Sequence, residues 1–153
     1  MALRFRSGDL FRSRAQLLTC PVNCQGVMGA GLALAFRKRF PGLYEAYALA
    51  CREGRLAPGR PLLWRESRPW VLLFPTRRSY RDRSRLEDIE QGLRWLADHY
   101  RQEGIRSIAI PALGCGLGGL PWPAVRELVE RWLRDLPGLQ VEAYLPTASV
   151  ERR

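Results

Sequence analysis

The sequence predicts an α/β domain in three layers, α/β/α, around a central sheet that is mixed and largely parallel. Three observations lead there. Strand-like and helix-like stretches alternate along the chain, as layered α/β domains require. "IRSIAIPAL" is an unbroken apolar run of strand length, expected of a strand covered on both faces. Two glycine-rich loops, "GVMGAG" and "GCGLGG", each follow a strand and precede a helix.

In chain order, "ALRFRSGDLF" reads as a short strand with a turn at Ser7-Gly8-Asp9. "AQLLTCPVN" is a second strand, ended by Pro21. After the first glycine loop, Leu32, Ala35, Phe36 and Phe40 recur at helical spacing until Pro41-Gly42 breaks the run. Leu43, Tyr44, Tyr47, Ala48 and Cys51 mark another helix. "RPLLWRESRPWVLLFPT" is a strand pair about a turn at Glu66-Ser67. The following stretch, with five arginines within residues 77 to 85, is almost devoid of apolar residues and reads as a loop. Ser84 and Glu87 form a capping box for a helix presenting Leu86, Ile89, Leu93, Leu96 and Tyr100. "IRSIAIPAL" then supplies a strand and "GCGLGGL" the second loop. Pro123 opens a helix with Val125, Leu128, Val129, Trp132, Leu133 and Leu136 inward. "LQVEAYLP" is the last strand. The whole, residues 1–153, is one domain with a loose tail from about residue 147.

The bulk numbers restrict the partners. No apolar run approaches the ~20 residues that span a bilayer, and the charged start "MALRFRSGDLF" does not fit a signal peptide. A cytoplasmic protein with no membrane partner is expected. The net charge is +10, nearly all arginine, with Lys38 the only lysine. That balance suits a polyanion such as nucleic acid; a genome that writes arginine for lysine gives the same balance. Cys20, Cys24, Cys51 and Cys115 form no doubled pair and His99 is the only histidine, so free thiols are expected rather than a metal site.

The loops carry the chemistry. In open α/β sheets ligands bind beyond the carboxyl ends of strands. Glycine lets the backbone approach a ligand, and successive free N–H groups with a helix N-terminus bind phosphate. Two such loops at equivalent strand ends suggest a cleft clamped from both sides. Neither matches a P-loop or a GxGxxG fingerprint. Asn23, the only asparagine, stands where its amide could meet a pair of sugar hydroxyls; a turn residue bonding its own backbone is the plainer reading. Asp9 could accept from an exocyclic amine, or simply shape its turn.

Gly8-Asp9-Leu10, "VNCQGVMGAGLALAF" and "IPALGCGLGGLPW", in this order and at these separations, resemble a macro domain over roughly residues 3 to 146. "GVMGAG", "FPT" followed by a basic residue, "SRLEDIEQGL" and "GCGLGGLPW" look most like the DNA ADP-ribosyl glycohydrolase branch, the antitoxin of a DNA-ADP-ribosylating toxin pair, related to the human terminal ADP-ribose protein glycohydrolase. The resemblance implies ADP-ribose as ligand or product and no cofactor. It makes Gly8, Asp9 and Leu10 part of the ADP-ribose site, with the Asp9 carboxylate on the adenine amine, and puts Asn23 at the distal ribose. Gly26, Val27, Met28, Gly29, Ala30 and Gly31 would wrap the diphosphate and distal ribose. Gly114, Cys115, Gly116, Leu117, Gly118 and Gly119 would do so from the other side, beside Pro75 and Thr76.

Asn23 and Arg77 are then the catalytic candidates. Arg77, Arg78, Tyr80, Arg81 and Arg83 are candidates for contact with ADP-ribosylated, single-stranded DNA, and a cognate DNA ADP-ribosyltransferase is a candidate partner. Two positions depart from the branch, and a third from the human relative. Cys20 replaces an asparagine. Arg77 replaces a lysine thought to attack the anomeric carbon, and a guanidinium, always protonated, is a very poor nucleophile. Near Gly118 the human relative carries an aspartate. Three functions remain open: a DNA glycohydrolase, a reader that binds ADP-ribose without cleaving it, and a hydrolase of O-acetyl-ADP-ribose or ADP-ribosylated protein.

Overall fold

A computed structural model of the chain describes residues 2–147. The tail expected from about residue 147 lies, beyond Thr147 itself, outside the described residues. Six strands form one sheet: β1 (Leu3–Arg6), β2 (Leu17–Asn23), β3 (Leu62–Trp64), β4 (Trp70–Arg77), β5 (Ser107–Ile110) and β6 (Gln140–Tyr144), in the order β1-β6-β5-β2-β4-β3. All neighbours are parallel except the edge pair β3–β4. Among the described residues four α-helices cover it: α1 (Gly31–Arg39), α2 (Leu43–Arg52), α3 (Leu86–His99) and α4 (Trp122–Leu133).

Strand alternation sends side chains to two separate cores. Leu17, Leu72, Phe74, Ile108 and Val141 pack with α3 and α4 through Ile89, Leu93, Val125 and Val129. Leu18, Cys20, Val71, Leu73 and Ala109 pack with α1 and α2 through Phe36, Leu43 and Tyr47. This is the three-layer arrangement expected from the sequence. Gly92, inside α3, marks a close approach: a Cβ there would stand 2.8 Å from Phe74 Cε1, so only glycine lets the helix settle this near β4.

Two expectations need correction. Strand β2 does not end at Pro21 but runs through it to Asn23. Its pairing with β5 stops at Leu18, while pairing with β4 continues to the end. Beyond Leu18 one edge of β2 is open, and a residue without an N–H is tolerated there. The capping box is also absent. Helix α3 has Arg85 as its N-cap with no side-chain capping bond. Ser84 instead donates its main-chain N–H to the Gly118 carbonyl at 3.0 Å, and its buried Oγ meets no partner among the described residues.

The divergence of β2 from β5 has a topological cause. From β2 the chain winds outward through β3 and β4, and from β5 it winds the other way through β6. This reversal opens a crevice at the carboxyl ends of the strands, the place where such sheets bind ligands.

Candidate functional site

The crevice is a cleft of about 790 Å³. Gly8, Asp9 and Leu10 line it from beyond β1, Asn23 from the last position of β2, Val27 from the loop after it, and Gly29, Ala30 and Gly31 from the entry to α1. Thr76, Arg77 and Tyr80 line it from β4 and the basic loop. Residues 114–118 close the opposite wall. The two glycine loops expected to clamp a ligand do face one space.

Main-chain donors converge on it. Helix α1 begins at Gly31 after Ala30, which caps with no side chain, so the N–H groups of its first turn point outward unpaired, at the positive end of the helix dipole. Gly31, Leu32 and Ala33 all line the cleft. Across from them, the second loop folds on itself through Gly119 N–H to Gly116 O at 3.1 Å and Leu120 N–H to Gly114 O at 2.8 Å. Gly114 takes a φ of 73° to make this turn, a conformation that favours glycine. The N–H groups of Gly116, Leu117 and Gly118 donate to no main-chain acceptor in the loop, and these residues line the cleft. Two rows of amide donors across a gap make an anion site for a ligand with more than one phosphate.

The side chains are sparse and specific. Asp9 is the one carboxylate and Arg77 the one cation among the lining residues. Asp9 Oδ1 accepts from Phe11 N–H at 2.9 Å, which shapes the turn after β1; the exposed carboxylate keeps acceptor capacity for a ligand amine. Asn23 is 4% exposed. Its Oδ1 accepts from the N–H groups of Gln25 at 3.0 Å and Val27 at 3.4 Å and from the Tyr47 hydroxyl at 2.7 Å, while Nδ2 donates to Val27 O at 2.8 Å. The expectation of a donor–acceptor pair for two sugar hydroxyls is therefore narrowed. The acceptor is fully engaged, and the second Nδ2 hydrogen is what Asn23 has left to offer.

Arg77 ends β4 half-buried and donates to the Tyr80 carbonyl at 2.8 Å. Arg78, also expected to contact nucleic acid, turns away: its guanidinium forms a two-pronged pair with the buried Asp88 carboxylate at 3.1 and 3.2 Å. Arg81 and Arg83 do not line the cleft; Arg81 Nε donates to the Tyr80 hydroxyl at 3.0 Å, and Arg83 lies against Gly119. Gly26, Met28, Pro75 and Gly119 do not line the cleft either. Gly26 turns the loop onto α2 beside Ala48, and Met28 is buried in the core.

Residues not anticipated also line the space: Pro21 and Val22 in β2, Pro111 and Ala112 after β5, and Tyr144 at the end of β6 with Leu145 to Thr147 beyond it. The rule that ligands sit at strand carboxyl ends covers every one of them. Cys115 sits at the cleft with its thiol pushed up to about 11 by burial, so it is neutral and a poor nucleophile at neutral pH. Among the described residues no group of His, Cys, Asp or Glu is arranged to hold a metal, and no helix is long and apolar enough to cross a membrane.

The sequence signature described as "Macro domain" matches residues 20–129. The chain belongs to the macro domain family. Among solved structures, this macro domain superposes on the macrodomain of Thermus aquaticus DarG with a TM-score of 0.89 and 39% identity, covering 94% of this chain and 98% of that one. Against Thermosipho africanus DarTG in complex with ADP-ribose the TM-score is 0.90 and the identity 45%, covering 94% of this chain and 41% of that one. A Thermosipho africanus DNA ADP-ribosyl transferase–DNA ADP-ribosyl glycohydrolase fusion protein is 44% identical over 158 residues, 91% of this chain and 40% of the relative. The chain thus spans about two fifths of the length of the bacterial curated relatives it matches.

Proposed function

We propose that this macro domain is an ADP-ribosyl glycohydrolase that removes ADP-ribose from nucleobases in DNA. The observation that carries the reading is the cleft itself, with the α1 N-terminus facing the donors of the second loop across a space of about 790 Å³. A diphosphate fits between the two donor rows. Asp9 at one end offers a carboxylate to the adenine amine, and Asn23 offers one N–H to the distal ribose. The likeness to a glycohydrolase-containing fusion protein at 44% identity supports DNA as the carrier and a DNA ADP-ribosyltransferase as a partner.

In the reaction so proposed, water adds to the anomeric carbon of the distal ribose. The glycosidic bond to the base breaks with its electron pair passing to the base, which takes up a proton. The sugar passes through an oxocarbenium-like state. No lysine stands at the cleft to attack that carbon, and Arg77 stays charged. Its part is to hold phosphate or the developing negative charge on the leaving base. Positioning and electrostatics of this kind lower barriers by several kcal/mol without a covalent step. The ligand's own diphosphate is the group that orients the water, since Asp9, the one carboxylate among the described lining residues, is assigned to adenine.

A second reading, binding without cleavage, is favoured by one observation: Arg77 at the place of a nucleophile. The test is a single-turnover incubation with a single-stranded oligonucleotide carrying one ADP-ribosylated base, followed by measurement of free ADP-ribose. Release establishes the glycohydrolase. Tight ADP-ribose binding by calorimetry with no release establishes the reader.

A further inference from the structure

We propose that the mouth of the cleft carries a stacking site for an unpaired nucleobase next to the ADP-ribosylated one, with the Tyr80 ring as its platform; this rests on the reading of the cleft given above.

The first observation is where apolar surface is left in water. Among the described residues five large hydrophobic side chains are exposed, and three of them, Tyr80 at 43%, Leu117 at 61% and Val27 at 38%, line this one cleft. They come from three different loops, so no single turn geometry accounts for the coincidence. Exposed apolar groups gathered at one opening mark a place that a partner covers.

The second observation is that the platform is held. The basic loop is tied to the first glycine loop by Cys24 N–H to Arg78 O at 3.3 Å and Ser79 Oγ to Gln25 Oε1 at 2.9 Å. It is tied to the second by Ser84 N–H to Gly118 O at 3.0 Å. Tyr80 thus sits on a span anchored to both walls. Arg81 lies 5.2 Å from its ring centre and donates to its hydroxyl, which limits how far the ring can swing.

The third is charge. Arg77, Arg81 and Arg83 form none of the ion pairs present among the described residues, whereas Arg78 beside them does. An aromatic face flanked by unpaired guanidinium groups is the combination that holds single-stranded nucleic acid, with the ring taking a base and the arginines the phosphates. Arg77, whose guanidinium touches the Tyr80 main chain, places this platform beside the end of the cleft where the sugar–base bond is proposed to break. The base stacked there is therefore a neighbour of the modified one.

The test measures equilibrium binding of a labelled single strand carrying one ADP-ribosylated base, and of free ADP-ribose, to the wild type and to Tyr80→Ala, Tyr80→Phe and Tyr80→Trp. Tyr80→Ala keeps the main-chain carbonyl that holds Arg77. It is expected to weaken the modified strand by about 5- to 100-fold and free ADP-ribose far less, while Phe and Trp retain most of the affinity. With the flanking nucleotides made abasic, the wild type should fall to the level of the Ala variant. Equal losses for strand and free ADP-ribose, an unchanged Tyr80→Ala, or a Tyr80→Ala loss that persists on the abasic strand would each overturn the platform while leaving the glycohydrolase reading intact. A wild type that binds modified and unmodified strands alike overturns both.

Discussion

Tyr47 directs its phenol at Asn23, 2.8 Å from the main-chain carbonyl and 2.7 Å from Oδ1, and it does so fully buried beneath the first glycine loop. Burial is the main cause that pushes this phenol far above its ordinary 10.0, so it stays a donor at any working pH. Helix α2 thereby sets the direction of the one asparagine at the cleft. Tyr47→Phe is expected to cost about 1 kcal/mol of stability and to weaken ADP-ribose binding several-fold in calorimetry. Asn23→Ala, which strips the Gln25 and Val27 N–H groups of their acceptor and leaves Tyr47 only the main-chain carbonyl, is expected to cost more on both counts. Wild-type affinity in both variants would remove Asn23 from the ligand's reach.

Arg77 sits at the inner end of the basic loop with a carbonyl, not a carboxylate, as its partner. Arg77→Lys should raise the single-turnover rate of ADP-ribose release, because an amine can lose its proton and attack the anomeric carbon. Arg77→Ala should lower it by about 100-fold or more, the usual range for removing one charge-stabilising donor. A flat rate across all three proteins would mean that Arg77 does not face the reacting carbon.

Restoring a carboxylate at Gly118 is a different matter. A Cβ there would collide with Ser84 Oγ and stand 2.7 Å from the Gly114 carbonyl. Gly118→Asp is therefore expected to destabilise the fold by about 1–3 kcal/mol, seen as a lowered Tm, rather than to add activity. Ser84→Ala removes a buried hydroxyl that has no partner among the described residues, so it should cost under about 1 kcal/mol. A large loss there would point to a bridging group.

Much of this is legible in the residues alone. The alternation of Leu17, Leu18, Val71 and Leu72 between two cores follows from a period of two, and the glycine loops declared themselves by composition. What stayed hidden depended on contacts across the chain. Pro21 reads as a strand end until β5 is seen to leave β2 at Leu18. Ser84 and Glu87 have capping-box spacing, yet Ser84 is taken by Gly118, a partner no local pattern reveals. Arg78 and Arg81 look alike in a run of arginines; only the fold brings Asp88 under one of them. The walls at Pro111 and at Tyr144–Thr147 lack glycines, so composition gave no cue, although the strand-end rule reaches them.

The thiols make a prediction about alkaline pH. Burial, the first cause in each case, raises Cys24 and Cys115 from an ordinary 9.0 to about 11, with Cys51 and Asp88 adding to the rise at Cys24. The folded state keeps these protons where the unfolded chain loses them. Their contribution to stability is full below pH 9.0 and is lost as pH climbs from there toward about 11. Tm should fall across that window, and Cys115→Ser should lessen the fall. At pH 7.5 iodoacetamide should label Cys115 slowly despite its place at the cleft; rapid labelling would contradict a protonated thiol.

The most direct measurement is a crystal structure of the domain with ADP-ribose. The account predicts the diphosphate between the first turn of α1 and the N–H groups of residues 116–118, with adenine toward Asp9 and the distal ribose toward Asn23 and Arg77. A ligand bound elsewhere, or a cleft that stays empty at saturating ADP-ribose, would contradict it.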